Sequence, residues 1–129
     1  MTLKSNLGSC NLVAFVTVVD VDKARTFYRD VLGLRLVRED LPFALVFDAH
    51  GIMLRVSISK KHTPLPGTVL GWDVPKIGKA VSDLAAAGVR FERYDFLKQD
   101  EQGIWASPTG AKVAWFKDPD GNLLSLTEF

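Results

Sequence analysis

Lys112 to Phe129 reads KVAWFKDPDGNLLSLTEF, two apolar runs of strand composition hinged on Asp118-Pro119-Asp120-Gly121. Proline presets the backbone for a turn, aspartate bonds its own backbone nearby, and Gly121 tolerates positive φ, so the stretch predicts a β-hairpin. Strand side chains alternate between faces. Leu124 and Leu126 therefore share one face, and Leu123, Ser125 and Thr127 share the other. The second face is mixed in character, as the lining of a small-molecule cavity is, whereas a sheet built only for packing would carry aliphatics there.

Upstream of the hairpin the pattern suggests two similar halves. Asn11 to Val19, NLVAFVTVV, has strand composition and reads as buried on both faces or nearly so. Ala24, Phe27, Tyr28, Val31 and Leu32 then fall on one helical stripe, with Asp20 or Asp22 to cap its start and Gly33 to end it. Short strands follow at Leu34 to Val37, Phe43 to Phe47 and Ile52 to Ile58, broken by Leu41-Pro42 and His50-Gly51. Residues 60–67, KKHTPLPG, form a polar connector. Thr68 to Val74 repeats the opening strand. Pro75 reads as the first-turn proline of a helix whose stripe is Ile77, Ala80, Val81, Leu84 and Ala85, closed by Gly88. Val89 to Tyr94 reads as a strand, 95–103 as a polar loop, and Ile104 to Ala106 as a strand before the hairpin.

The matched order, with Lys23-Ala24 recurring as Lys79-Ala80, points to an internal duplication. The expected fold is α+β: two tandem βαβββ modules, about 11–59 and 68–129, within a single domain spanning 1–129. Each helix covers one face of its sheet, and the curved mixed sheets are expected to enclose a shared cavity with the other faces.

Composition excludes several classes. A chain of 129 residues with a formal charge of +1 has no electrostatic footprint for nucleic acid or an anionic membrane surface. No apolar run approaches the length of about 18 residues that a membrane span needs. A secretory leader is not expected, since no basic segment precedes an apolar core; Leu7-Gly8-Ser9-Cys10 is a lipoprotein-like box without the apolar run such a box requires. Cys10, the one cysteine, has no partner for a disulfide, which suits a cytoplasmic location.

Val19-Asp20, FYRDVLGL at Phe27 to Leu34, Ala87-Gly88-Val89 and Phe116 to Asn122, FKDPDGN, together resemble the vicinal oxygen chelate superfamily. That superfamily holds glyoxalase I, extradiol dioxygenases, fosfomycin-resistance enzymes and bleomycin-resistance proteins. The resemblance spans about residues 11–129. It implies the paired-module fold and, by analogy, a homodimer whose subunits share the pocket. It also implies where a metal would sit in metal-using members: at the start of the first strand, in the fourth strand, at the start of the second module, and in the last strand after the turn. Those places hold Val13, Met53, Val69 and Ser125. Valine has no lone pair, a thioether is too soft for metals that favour oxygen and imidazole, and a neutral hydroxyl is a poor donor. In the first and last strands, shifting the register by one residue brings in only Leu12 and Ala14, or Leu124 and Leu126. His50 and His62 fall in a turn and in the connector, and read as exposed loop histidines.

If those four residues point inward, alternation adds Phe15 and Thr17, Arg55 and Ser57, Gly71 and Asp73, and Leu123 and Thr127 to the inner faces, with Trp115. Trp72 has the opposite parity and is expected under the second helix. Trp105 is a candidate lid residue or an edge-packing tryptophan. Arg55 needs a partner inside a concavity, and Asp73 or a ligand anion is expected to supply it. No nucleophilic triad is present.

The leading reading is a metal-independent small-molecule-binding protein without a cofactor, taking an aromatic or anionic ligand in a cavity lined by Val13, Phe15, Met53, Arg55, Val69, Asp73, Trp105, Trp115 and Ser125. The alternatives are a metal-dependent glyoxalase-like lyase or dioxygenase whose ligands lie elsewhere, and a regulatory or interaction domain on the same fold.

Overall fold

The computed structural model describes residues 5–129. After a short 3-10 turn at Leu7–Ser9, the first module runs β1 (Val13–Val18), α1 (Val21–Arg25), β2 (Arg35–Asp40), β3 (Ala44–Ala49) and β4 (Ile52–Ile58). The second runs β5 (Thr68–Asp73), α2 (Ile77–Ala86), β6 (Trp105–Ala106), β7 (Lys112–Lys117) and β8 (Leu123–Glu128). Each module folds into a mixed four-stranded sheet, in the orders β1-β4-β3-β2 and β5-β8-β7-β6. β1 pairs with β4, and β5 with β8, in parallel; the other pairs are antiparallel. The same strand order in both sheets matches two tandem βαβββ modules of an α+β fold.

The helix signals act as expected at the ends. Asp20 Oδ1 accepts the Lys23 N–H at 3.0 Å, and Gly33 and Gly88 take positive φ after the two helices. The first helix widens into a π-helical segment at Thr26–Val31, with the Leu32 N–H reaching the Phe27 carbonyl. This turns both Phe27 and Tyr28 into the core. α2 starts at Ile77 with Lys76 as its N-cap, so Pro75 lies upstream of the first turn rather than in it.

Alternation assigns the sheet faces. Val16, Val18, Leu45, Phe47, Leu54 and Val56 of the first sheet, with Ala114, Phe116, Leu124 and Leu126 of the second, are buried on the helix-bearing faces. They join Ala24, Phe27, Tyr28, Ile77 and Val81 in one cluster that draws on both modules. Trp72 stacks on Phe116 in that layer, as its parity predicts. The expectation that β1 is buried on both faces fails, because Phe15 is 60% exposed and Val13 37%. A β-branched run cannot reveal that the inner side of its own strand lies open.

Val89 to Tyr94 is also not a strand. It makes a single bridge, Phe91 to Phe116, with the Glu92 N–H on the Trp115 carbonyl. The Gln99 side chain takes over what a ladder would supply: its Oε1 accepts the Tyr94 N–H, and its Nε2 donates to the carbonyls of Glu92 and Gly103. A glutamine in a polar loop gives no warning of this role.

Candidate functional site

The inner faces carry the predicted residues in two groups. In the first sheet, Val13 is paired with Met53, Phe15 with Arg55 and Thr17 with Ser57 across β1 and β4. In the second, Ser125 lies between Gly71 on β5 and Trp115 on β7, while Asp73 is beside Thr127 and Trp105 opposite Val113. Val69 sits at a register shift in β5 and has no partner in β8. It lines a cavity of about 160 Å³ together with Phe15, Thr17, His62, Leu65 and Asn122. Met53, Arg55, Trp105 and Trp115 do not line that cavity, which is small beside the 300 Å³ or so of an ordinary ligand pocket.

Arg55 takes a different partner from the one expected. Its Nη1 lies 3.3 Å from Asp40 Oδ2, and Arg38 Nε donates to the same carboxylate. Asp73 is exposed on the other sheet. The reason is a bulge: the register of β2 shifts between Leu36 and Arg38, so Leu36 faces Phe47 while Arg38 and Asp40 come round to the Arg55 side. Strict alternation would have put all three on one face. Burial works against the charge on Asp40, yet the bonds from Arg38 and Arg55 hold its pKa below the usual carboxylate range. One carboxylate serves two guanidiniums, leaving a positive charge unbalanced on this face.

The second sheet presents aromatics. Trp105 and Trp115 lie 6.0 Å apart, Tyr94 meets Trp115 edge-on at 5.6 Å, and Phe96, largely exposed, continues the row from Tyr94. Burial, with the nearby Glu92 charge, raises the Tyr94 pKa, so its phenol stays neutral. Tyr94 and Phe96 escaped the sequence reading because the first was assigned to a strand and the second to a loop. Trp105 belongs to a two-residue edge strand, and the neighbouring loop is tied down by Gln99 and Gln102. That geometry suits a fixed wall better than a lid.

His62 is not an exposed loop residue. Its Nε2 lies 2.6 Å from Asn122 Oδ1, and the Asn122 amide nitrogen donates to the Thr17 carbonyl and to Asp118. Since that nitrogen faces two acceptors, Oδ1 is the acceptor toward histidine, and His62 carries its proton on Nε2. The connector is thereby stitched to the hairpin turn and to β1. His50, by contrast, is exposed in its turn with φ of 50°.

A divalent metal at this fold's usual site would need imidazole or carboxylate donors. Val13 and Met53 are direct neighbours, and Ser125 faces Gly71, so the places where relatives carry ligands offer no imidazole and no carboxylate. Among the described residues no group of three or more His, Cys, Asp or Glu side chains is placed to hold a metal ion. The residues present do not fit that metal.

Ser125 and Gly71 are also in close approach. A Cβ on residue 71 would stand 2.8 Å from Ser125 Oγ, which no real contact tolerates. Gly71→Ala is expected to lower stability by about 1–3 kcal/mol, measured by urea denaturation. The double change Gly71→Ala with Ser125→Ala should recover most of that loss; no recovery would show that the backbone, not the hydroxyl, sets the limit.

Comparison with known proteins agrees with the geometry. The model of the Glyoxalase/Bleomycin resistance protein/Dioxygenase superfamily matches residues 9–126. Among solved structures, the chain resembles a glyoxalase family protein from Enterococcus faecalis, with 23% identity and a TM-score of 0.71 over 90% of this chain and 94% of that one. A lactoylglutathione lyase from Agrobacterium tumefaciens gives 21% and 0.70 over 93% of each chain. A superfamily member from Sphaerobacter thermophilus gives 22% and 0.68 over 94% of this chain and 99% of that one. At such identities these structures establish the fold alone. No curated protein matches the chain. With the family model covering nearly its whole length and the two modules built as described, the chain belongs to the glyoxalase/bleomycin resistance protein/dioxygenase superfamily.

Proposed function

We propose that this protein is a metal-independent small-molecule-binding member of its superfamily, taking an aromatic, anionic ligand on its inner sheet faces. The observation that carries the reading is the pairing of Val13 with Met53 on one sheet, and of Ser125 with Gly71 and Trp115 on the other, at the positions where the family resemblance would put metal ligands. What remains on these faces suits binding. Trp105, Trp115 and Tyr94 offer stacking surfaces, and the unbalanced charge of Arg38 and Arg55 over Asp40 offers an anchor for a carboxylate or phosphate.

The two groups lie on different sheets, and Phe15, Val13 and Phe43 are left exposed. A homodimer that closes the first sheet of one subunit over the second sheet of its partner would complete the pocket. The proposal therefore includes a homodimer, with each chain working as one domain, in the cytoplasm. Among the described residues no helix is long and apolar enough to cross a membrane.

The test is elemental analysis of the purified protein with melting curves before and after a chelator. No stoichiometric divalent ion and an unchanged melting temperature are expected; an ion whose removal lowers the melting temperature overturns the reading. A thermal-shift screen of aromatic carboxylates and aryl phosphates should then find a compound that stabilises the native chain. Arg55→Ala or Trp115→Ala should weaken it by about tenfold or more. A screen in which nothing stabilises the native chain would favour the interaction-domain alternative.

A further inference from the structure

On the helix-bearing side of the second sheet lies a cleft of about 640 Å³, between the start of α2, the loop 98–104 and the ends of β7 and β8. Lys112 and Glu128 face each other across β7 and β8 with the parity of Ala114 and Leu126. The cleft is thus on the opposite face from Trp115 and Ser125. We infer that it is a separate binding site for a small polyanion, one bearing phosphate or carboxylate groups beside a flat apolar portion.

The charge arrangement points that way. Lys76, Lys79, Lys98 and Lys112 line the cleft, with two carboxylates, Asp100 and Glu128. Both carboxylates are engaged by backbone: Glu128 Oε1 accepts the Ile77 N–H at 3.0 Å, and Asp100 Oδ1 accepts those of Gln102 and Ile104, each at 2.9 Å. Lys79 pairs with Asp83 at 2.8 Å. Among the described residues no carboxylate lies within ion-pair distance of Lys76, Lys98 or Lys112. Three of the four lysines therefore make no ion pair, and the lining lysines outnumber the lining carboxylates, four to two.

Helix electrostatics makes the placement stranger still. α2 has a lysine as N-cap, with no side-chain capping bond, another lysine in its first turn and no acidic residue there. Cations at this end oppose the helix dipole; Glu128, which accepts the Ile77 N–H, supplies one negative charge against them, and a bound anion would offset the rest. The walls are already built. Gln102 Nε2 ties the loop to α2 through the Gly78 carbonyl at 3.0 Å and Ser82 Oγ at 3.1 Å. Buried Ile77 and Ile104 supply the apolar floor. A preformed pocket of this size, within the range of about 300–1,000 Å³ usual for small molecules, binds without first ordering a loop.

The experiment is isothermal calorimetry of the full chain with pyrophosphate and with citrate, at matched ionic strength in sodium chloride. Saturable binding of one or both is expected, and which of the two binds identifies phosphate or carboxylate as the preferred group. Lys98→Ala and Lys112→Ala should each raise Kd about tenfold, while Lys60→Ala, the same charge lost from the connector, should leave it unchanged. All three lysines are exposed, so the variants should fold as the native chain does. Heat that tracks ionic strength alone, or binding undiminished in the Lys98→Ala and Lys112→Ala double variant, overturns the inference.

Discussion

Replacing Asp118 with alanine is expected to lower the stability of the fold by about 3–5 kcal/mol. The residue is 4% exposed and collects four donors. Oδ2 accepts the Tyr28 hydroxyl at 2.7 Å and the Asn122 amide at 2.8 Å; Oδ1 accepts the N–H groups of Asp120 and Asn122 at 3.0 and 2.9 Å. Alanine would leave the buried phenol without an acceptor and the Asn122 amide with only the Thr17 carbonyl, and would loosen the turn that aligns β7 with β8. Tyr28→Phe removes only one of the four bonds, so its cost should be smaller, about 1–2 kcal/mol. Urea denaturation of both variants, with their double mutant, measures the pair. A loss under about 1 kcal/mol for Asp118→Ala would show that water replaces the carboxylate and that the turn holds without it.

Above about pH 10 the native protein should lose stability faster than the Tyr28→Phe variant, by about 1.4 kcal/mol for each pH unit. Complete burial of Tyr28, and then the negative charge of Asp118 beside its hydroxyl, push the phenol pKa far above the ordinary value. The stabilisation from keeping that proton is present in full below the unfolded phenol's pKa of about 10. It declines as the pH rises further, because the unfolded chain gives up a proton that the folded chain retains. Other alkaline titrations, including that of Tyr94, act on both proteins alike and cancel in the comparison. Urea midpoints from about pH 9 to about pH 11 supply the two slopes. Parallel slopes would mean that Tyr28 becomes solvated without unfolding.

These two residues lie far apart in sequence and meet because the hairpin turn of one module is set against the helix of the other. Phe27 and Phe116 approach at 6.4 Å across the same junction, and Asn122 reaches back to Thr17. The contact between modules is therefore polar at its centre and aromatic around it. The fold depends on residues that a motif search recognises as a family signature, and their physical work here is to join the halves.

Local chemistry made much of the architecture readable. Strands alternate with a period of two and helices with a period near four, so faces could be assigned wherever a strand was regular. Trp72, Leu124 and Leu126 lie where parity puts them, and Asp20 and Gly33 act as cap and stop. Each departure has a local cause. The bulge in β2 reversed the parity of Arg38 and Asp40, and the shift in β5 left Val69 without a partner in β8. Gln99 replaced a ladder with its own amide, and Asn122 drew His62 inward from a connector that reads as solvated loop.

The sequence by itself determined the duplicated α+β plan, the glycines that close the helices, and the hairpin. All of these depend on residue identity and on short-range backbone preference. Only the tertiary structure decided that Arg55 pairs with Asp40 rather than Asp73, that the inner faces stand as two groups on separate sheets, and that unpaired lysines gather around a cleft beside α2. Such contacts join residues distant along the chain, and a single inserted bulge residue changes which of them meet.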